Sequence, residues 1–338
     1  MKRIVVLLMG LLLLSSLGMT DEVTKVGTTA VGFLNIDVGA QAVAMGGAYA
    51  AVAQDATAMY WNPSGIARSE QFEALFQHTR WIADISINYL GVVIPIRGVG
   101  SFGVNMTSLG MDDMERTTIS NPEGTGETFF AGSSALGVSY ARNLTDRFSV
   151  GFNVKYITEK IYHSAATGVA FDVGTLFTTN FSGLKIGMSI SNYGPKIRMG
   201  GRDMLTQVDI DPLVHGNNKN LNANLKTDAF DLPLMFRVGV AIDVLKGMAN
   251  SNLILAVDAL HPNNDVESVN IGAEYVLNQM IFLRGGYNTL FAKDSETGLS
   301  FGGGLKYTIG GPTLVLDYAY RDFGILNQVQ MFTLGVRF

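Results

Sequence analysis

The stretch FSVGFNVKY, residues 148–156, alternates apolar and polar side chains at every position. Phe148, Phe152 and Tyr156 fall on one face with two valines, while serine, glycine, asparagine and lysine fall on the other. A period of two residues is the pattern of a β-strand whose two faces meet different media. The same alternation recurs at residues 236–244, 299–307 and 332–338. The sequence therefore predicts a protein built of many amphipathic strands.

A series of such segments follows residue 70. Transmembrane strands of outer-membrane barrels are about ten residues long, and single-chain bacterial barrels have an even number of them. We place the strands at residues 71–79, 84–94, 99–109, 128–142, 147–160, 167–179, 183–191, 232–245, 251–260, 267–276, 280–288, 297–309, 312–321 and 328–338. The expected fold is an all-β membrane protein, a closed antiparallel transmembrane β-barrel of about 14 strands over residues 70–338.

The charged residues of the strands separate a membrane barrel from a soluble β-sandwich. In a sandwich the polar face meets bulk water and is crowded with Lys, Glu and Thr, whereas here it carries Gly, Ser, Asn and isolated charges. A Lys or Arg on the lipid face near the middle of the bilayer would cost about 2–4 kcal/mol. The strand charges lie opposite the apolar stripe, at Lys155, Asp172, Lys185, Arg237, Asp243, Asp258, Glu274, Arg284, Lys306, Asp317 and Arg337. This arrangement favours the barrel.

The connections between the predicted strands alternate in length. Short connections lie near residues 95–98, 143–146, 180–182, 246–250, 277–279 and 310–311, whereas the intervening ones include 110–127 and 192–231. Short periplasmic turns and longer outside loops are the usual asymmetry of outer-membrane barrels. The alternation predicts a location in the bacterial outer membrane with both termini in the periplasm. The last residue is Phe338, which we expect to serve barrel assembly.

The N-terminus has the order of a secretory signal peptide. A positively charged start at residues 2–3 precedes an apolar run over residues 4–14 and small residues up to Gly18. This run is too short for a membrane-spanning anchor, so residues 1–18 are predicted to be a signal peptide that is removed on export. The sequence contains no Cys, which excludes a lipid-modified cysteine, disulfides and cysteine metal sites.

Residues 19–69, between the signal peptide and the first strand, are rich in small residues but also carry large apolar ones. Strand side chains fill an eight-stranded barrel, so a wider barrel needs something to line or plug its lumen. We expect this periplasmic N-terminal segment to form a lumenal hatch, with a short helix over residues 56–61 that Asp55 caps and Pro63 ends. The residues assigned to the hatch and a ligand pocket beneath it are Met45, Gly46, Gly47, Tyr49, Asp55, Met59, Trp61, Asn62 and Pro63.

Residues 39–67, GAQAVAMGGAYAAVAQDATAMYWNPSGIA, strongly resemble the opening signature of the PorV/PorQ family, within the FadL-like barrel superfamily. The stretches ISNYGPKIRM (190–199), LPLMFRVGV (232–240) and LRGGYN (283–288) resemble later blocks of the same family. The resemblance covers nearly the whole mature chain. It implies a fourteen-stranded barrel with an N-terminal hatch, and Asn62-Pro63 matches the hatch motif of FadL-like proteins.

The resemblance implies two functions, and the sequence leaves both open. Some family members serve the type IX secretion system, where they receive exported proteins by their C-terminal signal domains and pass them to a surface-attachment complex. Other relatives carry small hydrophobic molecules across the outer membrane. The first function predicts that a secretion translocon and cargo C-terminal domains bind the outside loops. The second predicts a hydrophobic ligand beneath the hatch. Both use one fold, so the fold does not separate them.

The longest predicted loop, residues 192–231, favours the secretion role. It mixes apolar residues with charges and Asn, and structureless loops of such length are uncommon unless they are functional. Apolar side chains held outside the membrane suit protein contact better than solute passage, which needs only the lumen. The predicted partner-binding residues are Met199, Leu205, Val208, Ile210, Leu213 and Val214.

An outer-membrane lipase or protease is the enzyme alternative. It would need a Ser–His pair or paired acids at the outer rim of adjacent strands, and the sequence offers no such set without arbitrary pairing. The four His residues lack metal-ligand spacing. The net charge of −5, with no basic cluster, argues against nucleic acid as a partner. We therefore expect no catalytic residue, metal or cofactor, and outer-membrane lipid as the surroundings.

Overall fold

A computed structural model describes residues 25–214, 216, 218–245, 250–292 and 297–338. The predicted signal peptide, with its cleavage site near Gly18, lies outside the described residues. The chain forms a closed antiparallel β-barrel of fourteen strands, which confirms the predicted fold class. In the described part of the chain, no helix is both long and apolar enough to span a bilayer.

The barrel strands are paired in sequence order, each with the strands before and after it. They are β1 Glu73–Arg80, β2 Ser86–Ile96, β3 Gly100–Gly110, β4 Ala131–Asn143, β5 Phe148–Ile161, β6 Ser164–Thr178, β7 Lys185–Tyr193, β8 Met235–Asp243, β9 Ser251–Pro262, β10 Ser268–Leu277, β11 Ile281–Leu290, β12 Leu299–Thr308, β13 Thr313–Asp322 and β14 Gln328–Arg337. The barrel closes where β1 pairs with β14, from Glu73 opposite Arg337 to Arg80 opposite Gln330. Closure leaves the wall without the exposed edges that an open sheet would present to lipid.

The two ends of the barrel differ in their connections. At the first end, called the short-turn end, the connections are residues 97–99, 144–147, 179–184, 244–250, 278–280 and 309–312. At the other end, called the long-loop end, they are residues 81–85, 111–130, 162–163, 194–234, 263–267, 291–298 and 323–327. Both of the long predicted loops therefore lie at the same end.

Along each strand, side chains alternate between the outer face and the lumen. In β5, Phe152 and Tyr156 are 50% and 55% exposed on the outer face, whereas Asn153 and Lys155 are buried inside. Some of the buried strand charges form ion pairs on the lumenal face, such as Lys155 with Asp172 of the neighbouring strand at 2.9 Å. An ion pair of this kind offsets part of the cost of removing both charges from water. The polar face of the alternation thus faces the inside of the barrel.

The remaining elements are short and lie before β1 or in the loops. Among the described residues, the α-helices are α1 Ala40–Ala44 and α2 Ala58–Trp61, and the 3-10 helices are Gly32–Asn35, Pro63–Arg68, Ile82–Asp84, Arg202–Met204 and Gly324–Leu326. The short strands pair as Met114–Glu115 with Thr128–Phe129, Ile197–Arg198 with Ala229–Phe230, and Leu205–Val208 with Leu221–Asn224, while Gly200–Gly201 pairs with the start of β6. These short pairings fix parts of the longest loop.

Strand β7 ends where Asn192 takes a left-handed backbone conformation with φ 65°. Asn is among the residues that adopt this conformation most readily. Its side chain donates to the Pro233 carbonyl at 2.9 Å, and its backbone N–H donates to Asp172 at 2.7 Å. Beyond this point the chain leaves the wall, and Ile197 is buried against Gly168 on the lumenal side of β6. The base of the long loop therefore lies partly inside the barrel mouth.

Candidate functional site: the filled lumen and the long loop

Residues 25–31, called the N-terminal arm, lie at the long-loop end. Thr29 forms a parallel bridge with Asp231, and the Ala30 N–H donates to the Asp231 carbonyl at 3.0 Å. The Asn264 side chain donates to the Thr29 hydroxyl at 2.8 Å. Asp231 and Asn264 belong to two different connections at the long-loop end, so the arm is fixed to that end of the barrel.

The C-terminal residue lies at the opposite end. The Phe338 N–H donates to the Phe72 carbonyl at 3.0 Å, and the two aromatic rings are 5.9 Å apart. Phe72 directly precedes β1, which starts from the short-turn end. The first described residues therefore lie at the opposite end of the barrel from Phe338, and the location of both termini in the periplasm stays a prediction. The role of Phe338 in barrel assembly stays a prediction.

Residues 32–69, called the lumenal segment, continue from the arm into the barrel. Phe33 and Leu34 pack with Val31 in a buried apolar cluster. The wall contributes small and branched side chains to this cluster, and the base of the long loop contributes Ile197 and Leu232. One apolar cluster therefore joins the lumenal segment, the wall and the long loop.

Close backbone approach holds the middle of the segment against the wall. Gly46 has φ +65°, and a Cβ at this position would come within 2.6 Å of the Tyr287 nitrogen. Wall glycines face the segment from the other side, since a Cβ at Gly272 or Gly286 would overlap the Met45 backbone. A glycine with positive φ is the residue that permits such an approach without steric cost. The lumen here is filled by protein.

Polar wall side chains bind the segment at several levels. Asp258 accepts from the backbone N–H groups of Tyr49 and Ala50 at 2.8 and 2.7 Å. Arg321 forms an ion pair with Asp37 at 2.6 Å. A backbone buried without a partner would lose free energy comparable to a hydrogen bond, so each of these wall groups stabilises the segment in place.

Aromatic residues form the centre of the segment. Trp61 is fully buried, its indole N–H donates to the Val38 carbonyl at 2.7 Å, and its ring packs edge-on against Tyr49 with centroids 6.0 Å apart. The Arg237 guanidinium lies 5.5 Å from the Tyr60 ring centroid and 5.2 Å from that of Trp61. Contacts of this geometry are cation–π interactions. Together they tie the end of helix α2 to strand β8.

Asn62 and Pro63 organise the turn after α2. The Asn62 side chain donates to the carbonyls of Ala50 and Thr175 at 2.8 and 3.0 Å, while its oxygen accepts from the Ser64 hydroxyl at 2.6 Å. This amide therefore joins two parts of the segment to the wall. Pro63 opens the 3-10 helix Pro63–Arg68, at a position where its missing N–H costs nothing.

The predicted helix over residues 56–61 is shorter than expected. It begins at Ala58, its N-cap residue is Thr57, and no side chain caps it. Asp55 instead accepts from the Thr57 N–H at 3.0 Å and from the Thr57 hydroxyl. The Asp55 carboxylate therefore binds the turn directly ahead of the helix, and its role as the helix cap stays a prediction.

The segment leaves the lumen at the short-turn end. The Asn143 amide donates to the Ala67 carbonyl at 2.8 Å, and Arg68 donates to the Asp146 carbonyl at 2.8 Å. Both wall residues lie at or next to the turn after β4. The chain therefore runs through the barrel from the long-loop end to the short-turn end before it starts β1.

Four of the residues predicted for the hatch and for a ligand pocket beneath it are buried inside the barrel, and their role in a pocket stays a prediction. Met45, Tyr49, Met59 and Trp61 are all buried members of one apolar cluster. A cavity of about 240 Å³ lies further along, at the short-turn end. Its lining includes Val52 of the segment and, from the wall, Lys185, Ala241, Asp243, Asn252 and Ile254. No pattern in the sequence pointed to this cavity, because its lining comes from four separate parts of the chain.

The predicted partner-binding residues divide into two groups. Met199 packs against the cluster inside the barrel mouth. The others lie on the long-loop hairpin, residues 205–224, whose strands pair from Leu205 opposite Asn224 to Val208 opposite Leu221. The exposed large side chains of this region are Leu205, Val208, Ile210, Leu213 and Val214. Ile210 and Leu213 are 73% and 90% exposed.

The base of this hairpin is tied to the top of the wall. Asp203 accepts from the His163 N–H at 3.0 Å and from the Ser164 hydroxyl at 3.1 Å, and Arg202 lies 2.7 Å from the His163 ring. A loop held at its base presents its tip in a restricted orientation. The hydrogen bonds at the base of the hairpin therefore restrict the orientation of its apolar tip.

A closed antiparallel barrel with an apolar outer face and charges inside defines an outer-membrane β-barrel. The PorV family model, described as type IX secretion system protein PorV, matches residues 19–213, more than half of the 338 residues. The chain belongs to this family, as the sequence resemblance predicted. A search of curated protein sequences found no match to the chain.

Solved structures share the fold. The toluene transporter TbuX of Ralstonia pickettii is 14% identical, with a TM-score of 0.53 over 89% of this chain and 97% of that one. The CymD monoaromatic hydrocarbon channel is 13% identical, with a TM-score of 0.54 over 89% and 96%. The toluene transporter TodX of Pseudomonas putida is 13% identical, with a TM-score of 0.53 over 89% and 97%. Likeness at these identities shows the fold alone.

Proposed function

We propose that this protein binds exported proteins, or the translocon that delivers them, through the long loop on the outer surface of the cell. The observation that carries the proposal is the exposed apolar tip of the long-loop hairpin, above all Ile210 and Leu213. The role is one of binding and transfer, with no catalytic step. It accords with the family to which the chain belongs.

The lengths of the connections support the orientation that this function requires. Short turns face the periplasm and longer loops face outside in outer-membrane barrels. The short-turn end, with Phe338, is therefore assigned to the periplasm. The long-loop end, with residues 111–130 and 194–234, is assigned to the cell exterior.

The exposure of the hairpin is unusual for a solvated loop. A group of large apolar side chains exposed to water often marks a site of contact with another protein. The hairpin is held by backbone pairing, and its base is fastened by the Asp203 hydrogen bonds to the wall. A pre-ordered surface loses less conformational entropy when it binds. Both properties support a binding surface.

The state of the lumen also supports the proposal. The lumenal segment fills the barrel with buried side chains from Phe33 to Ala67, and wall side chains hold it at several levels. A protein-binding role at the outer surface needs no open path through this segment. We propose that the segment acts as a plug that keeps the barrel closed.

A conduit for small hydrophobic molecules is the second candidate. Two observations favour it: the fold is shared with barrels described as toluene transporters, and a cavity of about 240 Å³ lies below Val52 at the short-turn end. In this function Met45, Tyr49, Met59 and Trp61 would have to separate to connect the cavity with the long-loop end. The segment would then be a movable hatch.

Excision of the long-loop hairpin tests the proposed function. Leu205 and Asn224 are cross-strand partners, so a short glycine linker can replace residues 205–224 without moving the flanking chain. An affinity tag placed at residue 120, in the loop 111–130, is expected to bring down a secreted protein or an outer-membrane partner with the full-length protein. The excised variant should assemble into the membrane and bring down neither.

A double variant, Ile210→Asp with Leu213→Asp, gives the same test without a deletion. The matched control is Ile325→Asp, since Ile325 is 84% exposed in another connection at the same end. The double variant should lose the partner and the control should keep it. If the intact protein purifies alone, with a bound hydrophobic molecule, the conduit function is the correct one.

A further inference from the structure

We infer that the short-turn end of strands β2 to β5 binds the headgroup of an anionic phospholipid through three arginines, Arg97, Arg142 and Arg147. The three side chains are exposed, and they lie in or directly beside the connections 97–99 and 144–147. This site is at the opposite end of the barrel from the long loop. It therefore does not depend on what the long-loop hairpin binds.

The outer face of β4 changes from apolar to cationic toward the short-turn end. Leu136 and Val138 are 52% and 58% exposed, Tyr140 follows on the same face, and Arg142 is the last outward residue of the strand. Successive outward residues of a strand lie about 6–7 Å apart. A tyrosine between apolar side chains and a cation is typical of the level where a membrane meets water. Arg142 is therefore placed at the depth of the lipid headgroups.

The turn between β2 and β3 reaches the same level beside β4. Ile96 is 45% exposed on the outer face, and Arg97 follows it as the first residue of the turn. The Tyr140 hydroxyl donates to the Val99 carbonyl of this turn at 2.8 Å. This hydrogen bond holds the turn against the end of β4, so Arg97 and Arg142 lie in one region of the barrel rim.

The third arginine belongs to the next turn along the rim. Arg147 lies in the connection 144–147 between β4 and β5, where Asp146 is the only acidic residue. Within the described part of the chain, none of Arg97, Arg142 and Arg147 forms an ion pair with a carboxylate. Guanidinium groups of this kind can bind a phosphate through two parallel hydrogen bonds.

The charge of the same strands reverses at their other end. The connection 111–130, which joins β3 to β4 at the long-loop end, contains five acidic residues and one basic residue. The basic residue, Arg116, is paired with Glu127 at 2.6 Å. The rim at the short-turn end carries three arginines and one acidic residue. Clusters of basic residues at a membrane surface attract anionic lipids. The ligand is therefore a phospholipid with a net negative headgroup, whose acyl chains lie along the apolar outer face of β4.

Native mass spectrometry of the purified barrel in detergent tests the site. The probes are phosphatidylglycerol, which is anionic, and phosphatidylcholine with the same acyl chains, which is zwitterionic. The unmodified protein should retain the anionic lipid more strongly. The triple variant Arg97→Gln, Arg142→Gln and Arg147→Gln should bind it about tenfold more weakly, because each cation at the membrane surface adds to the attraction. Free glycerol phosphate should not displace the lipid, since it lacks the acyl chains.

The matched control removes three exposed cations from the long-loop end, through Arg80→Gln, Lys160→Gln and Arg198→Gln. Both triple variants have the same net charge, so only a local site predicts that the control keeps the anionic lipid. Equal retention of the two lipids by the unmodified protein would overturn the inference. Loss of the anionic lipid in the control, or its retention in the first variant, would do the same.

Single variants keep the test decisive if the first triple variant does not assemble. Arg142→Gln should then weaken binding of phosphatidylglycerol, whereas Arg80→Gln, also on the outer face but at the long-loop end, should not. Equal binding by these two variants would contradict a site at Arg142. The experiment uses the barrel without a protein partner, so its result is separate from the test of the long-loop hairpin.

Discussion

The lumenal segment and the long-loop hairpin both carry large apolar side chains outside the barrel wall, yet their exposure is opposite. Met45, Met59 and Trp61 of the segment are fully buried, whereas Ile210 and Leu213 of the hairpin are 73% and 90% exposed. Burial of a side chain of this size contributes about 1.5–3 kcal/mol, which the segment gains and the hairpin forgoes. This difference indicates that the segment stabilises the barrel, whereas the hairpin leaves apolar surface exposed for a partner.

Removal of the segment tests the comparison most severely. Replacing residues 45–66 with a flexible linker should leave an assembled barrel that leaks small solutes, because strand side chains alone cannot fill a lumen of this width. Conductance in planar bilayers measures the effect. The protein with residues 205–224 excised is the control and should stay closed. Unchanged conductance after removal of residues 45–66 would show that the segment does not seal the barrel.

Two adjacent glycines of β11 offer a matched test with one added side chain. A Cβ at Gly286 would overlap the backbone of Met45 and Gly46, whereas a Cβ at Gly285 meets nothing within 4 Å. Gly286→Val should therefore displace the segment, raise conductance and expose residues 45–66 to protease. Gly285→Val should behave like the unmodified protein. Equal behaviour of the two variants would contradict the close packing of segment and wall.

Equivalent truncations in the two regions should give the smallest and most quantitative contrast. Met59→Ala removes a buried side chain and should destabilise the folded protein by about 2–5 kcal/mol. Leu213→Ala removes an exposed one and should change stability by less than about 0.5 kcal/mol. Denaturant unfolding in detergent, followed by gel mobility, measures both. A hairpin truncation as costly as the segment truncation would mean that the hairpin is part of the core.

The features that the sequence predicted are those with a local signal. The period-two alternation of residues 148–156 and its repeats located the strands, because each residue reports on its own face. Residues 39–67 were predicted to lie inside because small residues and large aromatics occur together there. The hairpin residues Ile210 and Leu213 were selected because they are apolar residues in a long loop that is otherwise rich in charges and Asn.

The features that the sequence did not predict depend on contacts between distant residues. Asp37 pairs with Arg321 across 284 positions, and the sequence around either residue does not indicate its partner. The side of the barrel reached by the arm depends on Asp231 and Asn264, which lie far along the chain. The strand pairing of the long loop rests on four-residue stretches that are too short to show a period.

The threaded path of the chain has a consequence for biogenesis. Strands β1 and β14 pair with Glu73 opposite Arg337, 264 positions apart, which is a wider separation than in the other pairings between wall strands. Contacts of such sequence separation form slowly, because the entropy of closing a long loop has to be overcome first. After β1 and β14 have paired, residues 32–69 can no longer enter the lumen between these two strands. The N-terminal part of the segment lies at the long-loop end of the finished barrel. We therefore expect the strands to assemble around the lumenal segment before β1 pairs with β14. The order of folding, as well as the final contacts, would then determine whether the barrel is sealed.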